Sequence, residues 1–157
     1  MENTIALLKN CAQKKDLSQG TRIHAHLRRR GFRLEKSPHV TTTLIHMYAK
    51  CGDLSNAHQV HDEVQIRNVV SWNILIAGYA QGGELGEVLY ILEGMKGEGI
   101  KPSSVTFISV LNACSHGGLV DQAQRYFKMM SIDYGINPTL QHYTCIIDLF
   151  GRAGHLD

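Results

Sequence analysis

The chain has 157 residues, of which 43% are hydrophobic and 19% charged, a balance that fits a globular domain with a real core and excludes a disordered segment. Its apolar runs, such as Val69-Val70 and Ile146-Ile147, are broken within a few positions, so none approaches the roughly 18 residues of a membrane span. The net charge of +2 is uneven: residues 1–37 carry +6 and residues 38–157 carry −4, so a polyanion would meet the N-terminal third first.

Self-similarity governs how the elements are read. The first copy spans 1–37, and its Leu8-Lys9-Asn10-Cys11 returns at offset 103 as Leu111-Asn112-Ala113-Cys114. The second, 38–68, holds Met47-Tyr48-Ala49-Lys50-Cys51-Gly52-Asp53-Leu54, matched at offset 31 by Gly78-Tyr79-Ala80-Gln81-Gly82-Gly83-Glu84-Leu85 of the third, 69–103. A fourth copy spans 104–139. The fifth, 140–157, shows Leu149-Phe150-Gly151-Arg152-Ala153-Gly154-His155-Leu156 in the same frame. The apolar residue after each internal turn (Leu17, Leu54, Leu85, Val120, Leu156) sets steps of 37, 31, 35 and 36.

Each copy reads as two amphipathic helices. In the third, Trp72, Leu75, Ile76 and Tyr79 share one helical face, and Gln81-Gly82-Gly83 ends it. A second helix follows through Leu85, Val88, Leu89, Leu92 and Met95. Gly99 suits a left-handed C-terminal cap, and Pro102 forbids continuation. Asp53 and Ser71 are expected to cap the helices they open. The fold class is therefore all-α, an α-α superhelix or solenoid of helical-hairpin repeats with about nine helices. The last copy stops at Asp157 as its second helix should begin, and the apolar face left there is expected to permit self-association. Met1 directly precedes the periodic Ile5, Leu7 and Leu8, so no targeting peptide is expected in the chain as given.

Catalytic and metal chemistry find no support. Cys11, Cys51, Cys114 and Cys145 lie 40, 63 and 31 residues apart, which fits buried thiols in a reducing compartment and neither a metal pair nor a disulfide framework. His24 and His26 fall on different helix faces, and His58 and His61 lack the Cys or carboxylate that would complete four ligands, so no metal and no cofactor is expected. Glu84 and Glu87 belong to a solvated face. No nucleophile elbow, phosphate loop or His-Glu-x-x-His occurs, and the chain is expected not to be an enzyme.

A tetratricopeptide pattern would place a small residue after the first helix's leucine. Here Leu75 is followed by Ile76 and Leu44 by Ile45. Val69-Val70-Ser71-Trp72-Asn73-Ile74-Leu75-Ile76-Ala77-Gly78-Tyr79 and Gly99-Ile100-Lys101-Pro102-Ser103 instead resemble the two ends of a pentatricopeptide repeat (PPR). The alternating copy lengths resemble the plant PPR subclass with long, short and standard repeats. So do the phrases Ile45-His46-Met47-Tyr48-Ala49-Lys50-Cys51-Gly52, Asn112-Ala113-Cys114-Ser115-His116-Gly117-Gly118-Leu119-Val120 and Asp148-Leu149-Phe150-Gly151-Arg152-Ala153-Gly154.

That resemblance implies sequence-selective binding of single-stranded RNA, about one base per repeat, in organellar RNA metabolism such as RNA editing or processing. The implied location is the mitochondrion, favoured, or the chloroplast. Editing would need editing factors or a deaminase-bearing protein in trans, or the remainder of a longer protein, because the His-x-Glu and Cys-x-x-Cys deaminase signature is missing from this sequence. Carried over by position, Thr42 with Asn68 favours adenine and Asn73 with Ser103 favours cytosine, while Thr144 stands in the last copy with its partner position beyond Asp157. Ile5 with Ser37 and Ile108 with Thr139 space rather than specify. Val70 and Val105 take the base-packing position. Lys50 and Arg152 face the RNA backbone, where Gln13, Gln81 and His116 are uncharged, and Arg28, Arg29 and Arg30 are further phosphate-contact candidates. The sequence departs from the family pattern in a two-residue excess from Leu34 to Ser37 and in His39 and Gln141, which replace apolar packing residues. Readings from other classes are a helical-repeat scaffold for protein partners, which the −4 of residues 38–157 would suit, and a non-functional fragment of a longer PPR protein.

Overall fold

A computed structural model describes residues 2–65 and 67–154, and within them the chain is all-helical with no strand. Its α-helices are α1 Glu2–Lys14, α2 Leu17–Arg29, α3 Pro38–Lys50, α4 Leu54–Glu63, α5 Val69–Gln81, α6 Leu85–Gly97, α7 Ser104–Gly117, α8 Val120–Ile132 and α9 Leu140–Arg152. The expected number of helices is met among the described residues. Leu156, the marker of the fifth copy, lies outside them. The excess residues around Leu34 to Ser37 form a 3-10 turn, Leu34–Lys36, which absorbs them without breaking α3.

The turn inside each hairpin repeats one hydrogen-bond pattern. Gly52 N–H reaches Ala49 O and Asp53 N–H reaches Tyr48 O; Gly83 and Glu84 do the same to Ala80 and Tyr79, and Gly118 and Leu119 to Ser115 and Cys114. The reversal requires a left-handed residue, and Gly52, Gly83, Gly118 and Gly154 supply it with φ of +84°, +71°, +67° and +76°. In the first hairpin a lysine takes this place: Lys15 has φ +54° and bonds Ala12 O in the same pattern.

The chain forms two compact units, 1–78 and 79–157. In the first, α1 packs on α2 and α3, and α3 packs on α4. Leu8, Val40, Leu44, Ile45 and Met47 are wholly removed from solvent, each worth roughly 1.5–3 kcal/mol of apolar burial. Gly20 lets α2 approach α3 closely, since a Cβ there would overlap the Met47 thioether. The His24 ring bonds the Tyr48 hydroxyl at 2.8 Å, and burial lowers its pKa. In the second unit α7 packs on α6, α8 and α9 around Leu111, Cys114, Ala123, Cys145 and Leu149. Buried His142 ties α9 to α7: its Nδ1 accepts the Thr139 N–H at 2.9 Å, so its Nε2 carries the proton donated to Ser104 O at 2.9 Å. The four cysteines are free thiols, and burial pushes Cys114 up to about 11.

Asp53 caps α4 as expected, accepting the Asn56 N–H at 3.1 Å. The expectation for Ser71 fails. Val69 and Val70 join the first turn of α5, so the exposed N–H groups fall earlier and Asn68 is the cap, its Oδ1 accepting the Ser71 N–H at 3.1 Å. The Ser71 hydroxyl instead donates to Asn68 O at 3.0 Å.

His61 is fully buried, edge-on to Trp72 with ring centroids 4.4 Å apart. Its Nδ1 lies 3.5 Å from Asp62 Oδ1 without hydrogen-bond geometry, and its Nε2 also lacks a partner. Burial, followed by the Arg67 charge, lowers its pKa to about 4. The fold thus favours the neutral ring: this contribution to stability is complete above the unfolded value near 6.5 and is lost as pH falls toward about 4. Urea unfolding should show a stability loss of about 2 kcal/mol between pH 8 and pH 5 from this group, and His61→Leu should flatten that slope. Equal slopes in the two proteins would contradict the assignment.

Candidate nucleic-acid interface

Residues spaced three and four apart on a helix lie on one face. On α1, Ala6, Lys9, Asn10 and Gln13 form such a stripe; on α3, His39, Thr42, Thr43, His46 and Lys50 form another. In the first unit these two stripes, with Lys15 from the turn and Ile74 from α5, line a groove of about 860 Å³. The lining includes Lys9, Lys15 and Lys50 and no carboxylate. The pKa of His46 is lowered by burial and then by Lys50, so the lysines supply the positive field at neutral pH. A cationic groove lined by short hydroxyl and amide side chains can hold a phosphodiester backbone and still offer donors and acceptors to bases.

Thr42 also lines a second, smaller cavity of about 80 Å³, shared with Asn68 and walled by Thr41, Ser71 and Val64 among others. The structure therefore brings the proposed adenine-reading pair to one place. Thr41 walls this cavity with its hydroxyl already engaged, donating to Leu34 O at 2.7 Å. The Asn68 Oδ1 is occupied by the Ser71 N–H, which leaves its Nδ2 as the outward donor of an exposed residue.

The remaining candidates have separate settings. Asn73 is half-buried on α5 in the first unit, whereas Ser103 belongs to the second, where it makes a capping box with Thr106 at the start of α7. Val70 and Val105 stand 50% and 55% exposed on the first turns of α5 and α7, large apolar side chains turned toward solvent. The Thr144 hydroxyl donates to Leu140 O of its own helix at 2.8 Å, and Arg152 is exposed at the end of α9. Arg28, Arg29 and Arg30 close the α2 segment, outside the groove, and Arg28 is ion-paired with Glu63. Sequence reasoning missed Lys9, Lys15 and His46 as groove residues. Lys15 left a signal, since it aligns with Gly52, Gly83, Gly118 and Gly154. Lys9 left one too, since it lies one turn before Gln13 on the same face of α1.

The sequence matches the PPR repeat family over residues 67–116 and the PPR repeat over residues 40–69 and 105–133. It is similar to three Arabidopsis thaliana pentatricopeptide repeat-containing proteins. With At3g57430, chloroplastic, it shares 40% identity over 97% of this chain and 17% of that protein. With At3g53360, mitochondrial, identity is 42% over 96% and 19%, and with CRR2, chloroplastic, 43% over 98% and 23%. The chain thus spans less than a quarter of the length of these three relatives. The crystal structure of the pentatricopeptide repeat protein PPR10 from maize superposes with a TM-score of 0.82 at 22% identity, covering 97% of this chain and 22% of that one. PPR10 in complex with an 18-nt psaJ RNA element gives 0.75 at 23%, covering 88% and 20%. The fold is accordingly that of a helical-repeat solenoid, residues 40–133 are pentatricopeptide repeats, and nearly the whole chain is homologous to plant pentatricopeptide repeat proteins.

Proposed function

We propose that the chain binds single-stranded RNA along the first helices of its hairpins, with about one base addressed by each repeat. The observation that supports this reading most is the carboxylate-free groove bearing Lys9, Lys15 and Lys50 beside the cavity that Thr42 and Asn68 share. Lysines hold phosphates without regard to sequence, whereas hydroxyl and amide groups discriminate base edges. PPR10, which is structurally similar, binds an 18-nt RNA element in its crystal structure, in keeping with an RNA ligand here.

Repeat boundaries at 1–37, 38–68, 69–103, 104–139 and 140–157, in the alternating long, short and standard pattern, give the frame. In that frame Thr42 with Asn68 reads adenine, Asn73 with Ser103 reads cytosine, and Thr144 addresses a further base. Val70 and Val105 pack against bases, while Lys50 and Arg152 meet phosphates together with Lys9 and Lys15. The setting is organellar RNA editing or processing, in keeping with relatives named chloroplastic and mitochondrial. Any editing chemistry would come from a deaminase supplied in trans or from the remainder of a longer protein.

Binding to short fluorescent single-stranded RNAs tests the reading. A pool rich in adjacent adenine-cytosine steps should bind better than one lacking them, and Thr42→Ala should abolish that difference; a folded protein that binds neither pool at low salt would contradict it. Asn68→Asp keeps an acceptor for the Ser71 N–H but removes the outward donor, so stability should hold within about 0.5 kcal/mol while the adenine preference disappears in the same assay. Lys15→Gly relieves a left-handed lysine and should raise unfolding stability by about 1 kcal/mol. The same change should weaken RNA binding and reduce the salt slope by roughly 0.7. A variant that gains stability and keeps full affinity would remove Lys15 from the interface.

A further inference from the structure

The second hairpin closes differently from its neighbours. After α2, α6 and α8, the chain reverses on Gly31, Gly99 and Gly135, with φ of +70°, +76° and +63°. Backbone N–H groups there return to the last helical carbonyls, as Gly31 does to Arg28 and Gly99 to Lys96. No glycine separates α4 from α5. In its place the Arg67 side chain satisfies the end of α4, its Nε donating to His61 O at 2.9 Å and its Nη2 to Asp62 O at 3.2 Å. The guanidinium carbon lies 5.8 Å from the centre of the Trp72 ring, whose edge-on neighbour is buried His61. One planar side chain therefore fastens the last turn of α4 to the first turn of α5, a geometry that a lysine cannot reproduce.

Asn68 is the next residue in the chain. Its amide caps α5 and lines the cavity with Thr42. Arg67 fixes the backbone immediately before Asn68, while the Ser71 N–H holds the Asn68 Oδ1, so the two together set where the Asn68 Nδ2 is presented.

We propose that Arg67, clamped between the α4 carbonyls and the Trp72 ring, is a positioning residue that sets Asn68 opposite Thr42 for recognition of one base. This rests on the RNA-binding reading above. Arg67 acts through Asn68 and touches no nucleotide, so removing it should cost selectivity at one base and leave the phosphate contacts intact.

The test compares the full chain with Arg67→Ala, Arg67→Lys and Trp72→Phe on two RNAs that differ only at the adenine assigned to Thr42 and Asn68, across a salt series. Circular dichroism confirms that each protein is helical. A wild-type preference of about tenfold should fall below about twofold in Arg67→Ala and Arg67→Lys with an unchanged salt slope, and Trp72→Phe, which keeps an aromatic face, should retain it. Preference retained in Arg67→Ala, or restored by Arg67→Lys, overturns the proposal. Equal weakening on both RNAs with a shallower salt slope also overturns it, because Arg67 would then be a phosphate contact. Failure of the wild-type chain to bind either RNA defeats the RNA reading itself and this inference with it; failure confined to the variants' predicted loss defeats only the inference.

Discussion

A helix of about thirteen residues is too short to persist alone in water, so every helix here must bury one face against a neighbour before it is stable. That constraint orders the rest of the structure. The buried faces of α1 and α3 are spent on Leu8, Val40, Leu44 and Met47, and the turns between paired helices must reverse within about two residues. What remains on α1 and α3 is a more exposed stripe, including Lys9, Asn10, Gln13 and Lys50, which lines the groove beside the buried Ala12 and Thr43. The surface available for recognition is therefore a by-product of stacking. An exposed groove residue on a helix, such as Lys9 or Gln13, can change its chemistry without disturbing the core beneath it.

Lys15 is the place where recognition and stability come into conflict. Among the described residues the other hairpin turns use glycine at the left-handed position, and only this one carries a side chain that costs conformational energy while lining the groove. Arg67 shows a related compromise. A glycine turn would close the second hairpin with backbone bonds alone; the structure uses a side chain that also reaches Trp72, and so couples the end of one hairpin to the start of the next.

Much of this was legible in the sequence because repeats announce themselves through period. The helices, the glycine turns and the Asp53 cap followed from spacing and turn chemistry. The failures share a physical cause. Whether Val69 and Val70 extend α5 depends on packing that propensity does not contain, so the cap shifted from Ser71 to Asn68. The roles of Arg67 and His61 arise from neighbours across the α4 to α5 junction, which periodicity cannot register.

The central claim is that nucleic acid lies along the first helices of the first unit and not along the second helices, where Arg28, Arg29 and Arg30 reside. Photocrosslinking of single-stranded RNA carrying 4-thiouridine, followed by mass spectrometry of the attached peptides, addresses this most directly. The account predicts adducts on segments 2–15 and 38–50, including the peptides that contain Lys9, Thr42 and Lys50. Adducts confined to segments 17–30 and 54–63, with none on the groove, would contradict it.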